Sequence, residues 1–183
     1  MNSEKRKEVI NVCLDCLIEN GLTKTTTKDL CNALNLQNGG VYYYFKTKNE
    51  IIISCAEEAI NRLENKVFNL AFENIEDIEN MVKVLEELAD ELSPTMRFLV
   101  SVCVSKEYGE EVKPALKRLA DRYVVYSDKI AKALNCKLEE VKPLVFMAIL
   151  AINNYMIFSE KALFKPQIEL VKNALLKIKN KEN

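Results

Sequence analysis

Between positions 37 and 44 the chain carries Gln37, Asn38, Gly39 and Gly40, then Val41 and three tyrosines, Tyr42, Tyr43 and Tyr44. Glutamine and asparagine amides pair bidentately with adenine edges, and glycines let a backbone approach a groove. Tyrosine hydroxyls reach phosphate oxygens. The flanks suit an anionic partner: no acidic residue lies between Asp29 and Glu50, whereas Lys46 and Lys48 lie inside that stretch and Lys28 beside it. A helical phase turns Val41 and Tyr44 inward, with Phe45 as apolar filling, and leaves Tyr42 and Tyr43 outward.

Two other groupings have chemical potential. Cys13-x-x-Cys16 has the spacing of a metal or redox pair, but no second pair and no histidine accompanies it. Both thiols fall on an apolar helical stripe, so they read as small hydrophobes, as do Cys31 and Cys55. Cys103 and Cys136 leave a thiol sensor open, if their setting is basic and exposed. Glu86-Glu87 with Asp90-Glu91 places carboxylates at i and i+4. They read as a solvated helix face; a facing second cluster would instead suit a magnesium-dependent enzyme acting on a nucleotide or prenyl diphosphate. With no histidine anywhere, His general bases and His metal sites are excluded. We expect no catalytic residue, metal or cofactor.

The periodicity that must position these residues is helical nearly throughout. Val9, Val12, Cys13, Cys16 and Leu17 form a first stripe that ends at Gly21. Thr26-x-x-Asp29 opens a short helix to Leu34, Asn35 suits a tight left-handed turn, and a second short helix covers roughly 38–45. Two short helices joined by such a turn make a helix-turn-helix. Thr47-x-x-Glu50 is a capping box for a long helix with the stripe Ile52, Ala56, Ala59, Leu63, Val67 and Leu70. Ile75 to Leu92 is the next helix, and Ser93-Pro94 caps another that stops near Gly109. Helices from Val112 to Leu134 and from Leu138 to Leu163 follow, and Lys165-Pro166 starts the last. The sequence Glu-Glu-Val-Lys-Pro at 110–114 and 139–143 reads as two similar helix starts.

The expectation is an all-α protein of about nine helices. A three-helix head at 1–46 precedes a helical body at 47–183, and the helix from 47 bridges them. Four Gly and four Pro in 183 residues are too few for a turn-rich β fold or a glycine-rich phosphate loop. Lys and Arg number 26 against 27 Asp and Glu, which excludes a chain basic all over. Residues 1–48 hold seven basic and five acidic side chains, a net +2, leaving −3 for the rest. That asymmetry orients the head toward phosphate. The N-terminus has no signal-peptide pattern, and the nearly apolar run 144–158 is shorter than a membrane span, so a cytoplasmic protein with reduced thiols and no membrane partner is expected.

Three segments resemble the tetracycline-repressor (TetR) family. Val9-x-x-Val12-Cys13-x-x-Cys16-Leu17-x-x-x-Gly21 is similar to its first helix, and Thr25-Thr26-x-x-Asp29-Leu30-Cys31 to the entry of its second. Leu36-x-x-Gly39-Gly40-Val41-Tyr42-Tyr43-Tyr44-Phe45-x-Thr47-Lys48-x-Glu50-Ile51 is similar to its recognition helix and the next helix start. The resemblance covers about residues 5–60. It implies DNA contacts at Thr27, Lys28, Gln37, Asn38, Gly40, Tyr42, Tyr43 and Lys48. Of these, Gln37, Asn38 and Tyr43 would meet bases, and Tyr42, Lys48 and Thr27 phosphates. Asn35, Gln37 and Asn38 stand where the family usually has glycine, a small hydroxyl residue and lysine.

The resemblance also implies a small-molecule effector in the body and double-stranded DNA with a pseudo-palindromic operator as partner. Met96, Leu99, Cys103, Tyr123, Tyr126, Phe146, Met147 and Leu150 lie on helices that would face one another, with Asn153 or Asn154 to orient a ligand. Without acidic residues on those stripes a neutral, apolar ligand is expected, released-repressor fashion, though Arg97, Arg118 or Arg122 would receive an anion if turned inward. A helix apolar all round must be covered on more than one side. A C2 homodimer is therefore expected, through Ile149, Ile152, Met156, Ile168, Val171, Leu175 and Ile178. Two readings from other classes stay open: the magnesium enzyme, and a helical adaptor whose head binds protein.

Overall fold

The computed structural model describes residues 3–67, 69 and 77–181, and among them there is no strand. The helices are α1 (Ser3–Asn20), α2 (Thr27–Ala33), α3 (Lys48–Lys66), α4 (Ile78–Cys103), α5 (Gly109–Ala133), α6 (Leu138–Phe158) and α7 (Lys161–Lys181), with a 3₁₀ helix at Gly40–Tyr43. The all-α expectation holds, with seven α-helices among the described residues where about nine helices were expected. Leu70 and Ile75, expected on helix stripes, lie outside the described residues.

Each difference in helix count has a local cause. Ser93-Pro94 does not start a helix; α4 runs through Pro94, and the Ser93 hydroxyl donates to the Ala89 carbonyl at 2.7 Å instead of capping. Pro114, Pro143 and Pro166 also lie inside helices, each five residues after the start. The two Glu-Glu-Val-Lys-Pro segments do open α5 and α6, with their glutamates in the first turn, where the helix dipole favours negative charge. The break between the last two helices falls at 159–160, not at 164: Ser159 takes a left-handed conformation (φ 58) and its N–H closes on the Tyr155 carbonyl at 2.7 Å. No glycine or proline marks that break. Starting at Leu138, α6 is longer than its apolar run and is long and apolar enough, by length and composition, to cross a membrane. Here it packs along α7.

The chain divides into two compact units, residues 1–62 with 97–116, and residues 63–96 with 117–183. The division cuts α3 after Arg62 rather than at its start, and the first unit also takes in the end of α4 and the start of α5. In the first unit α1 packs on α2, and α2 on the 3₁₀ helix. Its core holds Leu14, Leu17, Leu30, Val41, Phe45, Ile51 and Ile52, with Cys13, Cys16, Cys31 and Cys55 among them. Arg62 ties α3 to α1, reaching Asp15 at 2.6 Å and the Asn11 side chain at 2.7 Å. In the second unit the core is built from Ile78, Leu85, Ile130, Val145, Met156, Ile168 and Leu175.

Candidate nucleic-acid interface and body cavity

The entry to α2 is fixed by the expected box. The Thr26 hydroxyl accepts from the Asp29 N–H at 3.3 Å, while the Asp29 carboxylate accepts from the Thr26 N–H at 2.8 Å. The Thr26 hydroxyl also donates to the Asp29 carboxylate at 2.7 Å, and this bond, then the one from the Thr26 N–H, holds the Asp29 carboxyl below the usual carboxylate range. After α2 the chain reverses at Asn35, in the left-handed region at φ 54, and the Leu36 N–H closes on the Cys31 carbonyl at 2.8 Å. Gly39 is also left-handed (φ 83), and Gly40 begins the 3₁₀ helix with its N–H on the Gln37 carbonyl at 2.8 Å. A helix over 38–45 was expected; only four residues are helical, and no side chain caps them. The left-handed Gly39 rules out an α-helical start at 38, and Gln37 supplies no cap in place of a small hydroxyl residue.

This short element is held from below. Val41 and Phe45 are fully buried, and the Arg6 guanidinium lies 4.8 Å over the Phe45 ring while bonding Glu50 at 3.0 Å. Glu50 also accepts the Lys46 N–H at 2.7 Å, and its own N–H bonds the Thr47 hydroxyl at 3.1 Å. The box at the start of α3 is therefore closed one residue early, on Lys46 rather than Thr47. Arg6 is a positioning residue that the sequence did not single out; its partner is 44 residues away, beyond any local pattern.

Above this support the expected DNA contacts stand as follows. Gln37 and Asn38 are exposed, as is Lys28. Tyr43 is 77% exposed and Tyr42 45%, whereas Tyr44 is half-buried and meets Tyr43 edge to face at 5.1 Å. The Tyr42 and Thr27 hydroxyls share a hydrogen bond at 3.3 Å, and Lys48 donates from Nζ to the Thr25 carbonyl at 2.9 Å. Thr27, Tyr42 and Lys48, the residues assigned to phosphate, thus meet around the start of α2. Gly40 is half-buried against Leu36, too close for a side chain: an added Cβ would stand 2.9 Å from the Leu36 Cβ.

The thiols of the first unit have no such role. Burial pushes Cys13 up to about 12 and Cys55 well above its ordinary value, and Cys16 and Cys103 also rise. Such groups stay protonated and pack as small apolar side chains. Three of the four clustered α4 carboxylates meet cations: Lys83 approaches Glu87 at 4.0 Å, Lys66 bonds Glu91, and Lys161 bonds Asp90 at 3.2 Å. Among the described residues no three His, Cys, Asp or Glu side chains gather as a metal site.

The second unit contains a cavity of about 50 Å³. Of the side chains expected to bind a ligand, Met96 and Tyr123 line it. Leu99 and Cys103 belong to the first unit. Phe146 and Tyr126 are half-buried without lining it; Phe146 meets Tyr123 edge to face at 6.5 Å, and Lys129 lies 4.6 Å over the Tyr126 ring. Met147 and Leu150 face outward, 45% and 68% exposed, and so does Asn154, whereas Asn153 lines the cavity. None of Arg97, Arg118 and Arg122 lines it.

The residues expected at a dimer face show the reverse. Ile149, Ile152, Met156, Ile168, Val171 and Leu175 line the cavity; all but half-buried Ile149 are buried within the chain itself, and Ile178 is half-buried. On α6 the expected dimer residues face the cavity, and Met147 and Leu150, expected at a ligand, face outward. Val145, Ile149, Ile152 and Met156 make its inner stripe, and Met147, Leu150 and Phe158 its outer one. Both stripes are apolar, so hydrophobic periodicity gives the helix but not its rotation. Leu150, Phe158, Leu163 and Leu170 on α6 and α7 are 60–69% exposed.

A small head with a two-helix reading motif, on a chain that continues into long helices, defines a helix-turn-helix protein. Residues 9–55 match the family described as bacterial regulatory proteins, tetR family. Over its length the chain has the fold of solved TetR-family regulators. A protein of Mesorhizobium loti assigned to the TetR-family transcriptional regulators superimposes with a TM-score of 0.72 at 12% identity, covering 96% of each chain. FadR from Bacillus subtilis, solved with stearoyl-CoA, gives 0.59 at 15% identity over 94% of this chain and 96% of its own. BioQ, solved with its double-stranded DNA operator, gives 0.55 at 17% over 93% and 96%. No curated protein matches the chain.

Proposed function

We propose that this TetR-type transcriptional regulator is a homodimeric repressor that binds a pseudo-palindromic operator and is released by a small apolar molecule. The observation that carries the reading is the outward face of the reading element. Gln37, Asn38 and Tyr43 project from a fixed turn, with Thr27, Tyr42 and Lys48 beside them and no acidic residue from 30 to 49. Amides suit base edges, and hydroxyls with an ammonium suit phosphate. Thr27, Lys28, Gln37, Asn38, Gly40, Tyr42, Tyr43 and Lys48 remain the proposed contacts, Gly40 through its backbone. BioQ's complex with operator DNA supports the DNA reading, and FadR's with stearoyl-CoA supports an effector.

Dimerisation is proposed through the outer apolar face of α6 and α7, around Leu150, Phe158, Leu163 and Leu170, in place of the inner residues. Exposed apolar side chains clustered in this way mark association surfaces. A two-fold dimer would present two reading elements to half-sites about 34 Å apart, or a multiple of that. Release requires the effector to prefer the state that cannot bind DNA, because equal affinity for both states shifts nothing. The protein would act in the cytoplasm and catalyse no reaction. The test is selection of bound fragments from genomic DNA by the purified protein: enrichment of one pseudo-palindrome supports the reading, and recovery of unrelated fragments refutes it.

A further inference from the structure

The cavity of the second unit is walled almost wholly by carbon and sulfur. Among the described residues, 17 side chains line it; of these only Tyr123 and Asn153 carry a polar atom other than sulfur, and none is an acid, lysine or arginine. Burial pushes the Tyr123 phenol up to about 12, so it too is neutral at physiological pH. An ion placed there would lose its hydration with no counter-charge to replace it.

Asn153 is the exception in this wall. Its amide offers two donors and an acceptor, yet among the described residues it has no hydrogen-bond partner. Two buried hydroxyls of the second unit behave otherwise: Ser93 and Ser127 each donate to a backbone carbonyl one turn earlier, at 2.7 and 2.8 Å. Asn153 is half-buried, so an occupant of the cavity can take the amide's bonds in place of water.

The present space is small, not far above the ~30 Å³ that one water occupies in the liquid and well short of the ~300 Å³ at which drug-sized pockets begin. Three of the chain's five methionines, Met81, Met96 and Met156, form part of the wall. Their unbranched thioether side chains rearrange at low cost and fill irregular gaps.

We infer that this cavity takes a small uncharged molecule, a single ring or short chain bearing one hydroxyl or carbonyl, held by Asn153 and admitted by rotation of Met81, Met96 and Met156. This deepens the effector reading and rests on it. Cyclohexanol, methylcyclohexane, cyclohexylammonium and cyclohexanecarboxylate share a shape and differ in polarity and charge. Titration calorimetry on the full chain should show cyclohexanol binding more tightly than methylcyclohexane, and neither ion binding. Asn153→Leu should lower cyclohexanol affinity about tenfold and leave methylcyclohexane unchanged, the size of one neutral hydrogen bond. Ala148→Phe, which fills the space, should abolish both.

Binding of either ion as tightly as cyclohexanol overturns the inference, as does cyclohexanol without advantage over methylcyclohexane, or no heat from any probe at millimolar concentration. The wild-type comparison decides even if a variant fails to fold. Failure here with operator binding intact removes only this inference. Absence of operator binding with the probes bound removes the regulator reading instead.

Discussion

Gly39 and Gly40 are adjacent, yet the structure gives them different reasons to be glycine. Gly39 is left-handed, at φ 83 and ψ −7, and nothing lies within 4 Å of where a Cβ would stand. Gly39→Ala therefore carries a conformational cost alone, roughly 1–2 kcal/mol for an L-residue in that region. Lower entropy of the unfolded chain returns about 0.4–1 kcal/mol of this. Gly39→Asn should cost clearly less, because asparagine visits the left-handed region readily.

Gly40 is not left-handed; its restriction is space. A Cβ would sit 2.9 Å from the Leu36 Cβ, with Leu36 Cδ1 at 3.5 Å and Cγ at 3.6 Å. The Leu36 Cβ is fixed to the backbone, so relief requires the 36–40 turn itself to open. Overpacking of this kind costs about 1–3 kcal/mol. That turn carries Gln37 and Asn38, so the displacement also reaches the base-reading side chains. Urea unfolding and anisotropy titration of a labelled operator would be measured together on all three variants. We expect Gly40→Ala to lose about 1–3 kcal/mol of stability and at least ~10-fold in operator affinity. Gly39→Asn should stay near the wild type in both, with Gly39→Ala between. The reasoning is wrong if Gly40→Ala melts and binds as the wild type does, or if Ala and Asn at 39 are equivalent.

Three further outcomes follow from other contacts. Lys48→Ala should weaken binding to every DNA sequence and reduce its salt dependence, whereas Asn38→Ala should change preference at particular base pairs; competition titrations distinguish the two. Leu150→Asp combined with Leu170→Asp places charge on the proposed dimer face and should give a monomer by light scattering at micromolar concentration, with helix content retained. Asp90 accepts from the Tyr155 hydroxyl and then from Lys161, and these bonds hold its carboxyl below the usual range. Its contribution is therefore present above the ordinary carboxylate pKa and lost as pH falls through the lower folded value. Tyr155→Phe should flatten the loss of melting temperature below about pH 4 relative to wild type.

Much of the fold is written in local chemistry. The Thr26–Asp29 box, the left-handed Asn35 and Gly21 after α1 all stand where residue type places them, because a cap or a tight turn is decided within a few residues. Where competing local rules meet, sequence is a weaker guide. Ser93-Pro94 has the form of a helix start, yet α4 runs on through it with Leu92, Phe98 and Leu99 buried on either side. The reading element is legible as a turn and a short helix, but its length depends on the left-handed Gly39. In the body, rotation of α6 decides which apolar stripe meets α7, and the residues alone do not contain that choice. Asn153 and Asn154 show the same limit: adjacent amides, one lining a cavity and the other in solvent. The Arg6–Glu50 bond that steadies the reading element joins positions 44 apart and has no signature in the chain.

The central claim is sequence-specific binding of duplex DNA by the head. Anisotropy titration of the purified protein against its selected operator and a scrambled duplex of equal length, repeated from low to physiological salt, tests it most directly. The account predicts a preference of at least ~10³-fold for the operator. It also predicts that log affinity falls linearly with log salt, as phosphate contacts release counterions. Equal affinity for both duplexes, or binding indifferent to salt, would contradict it.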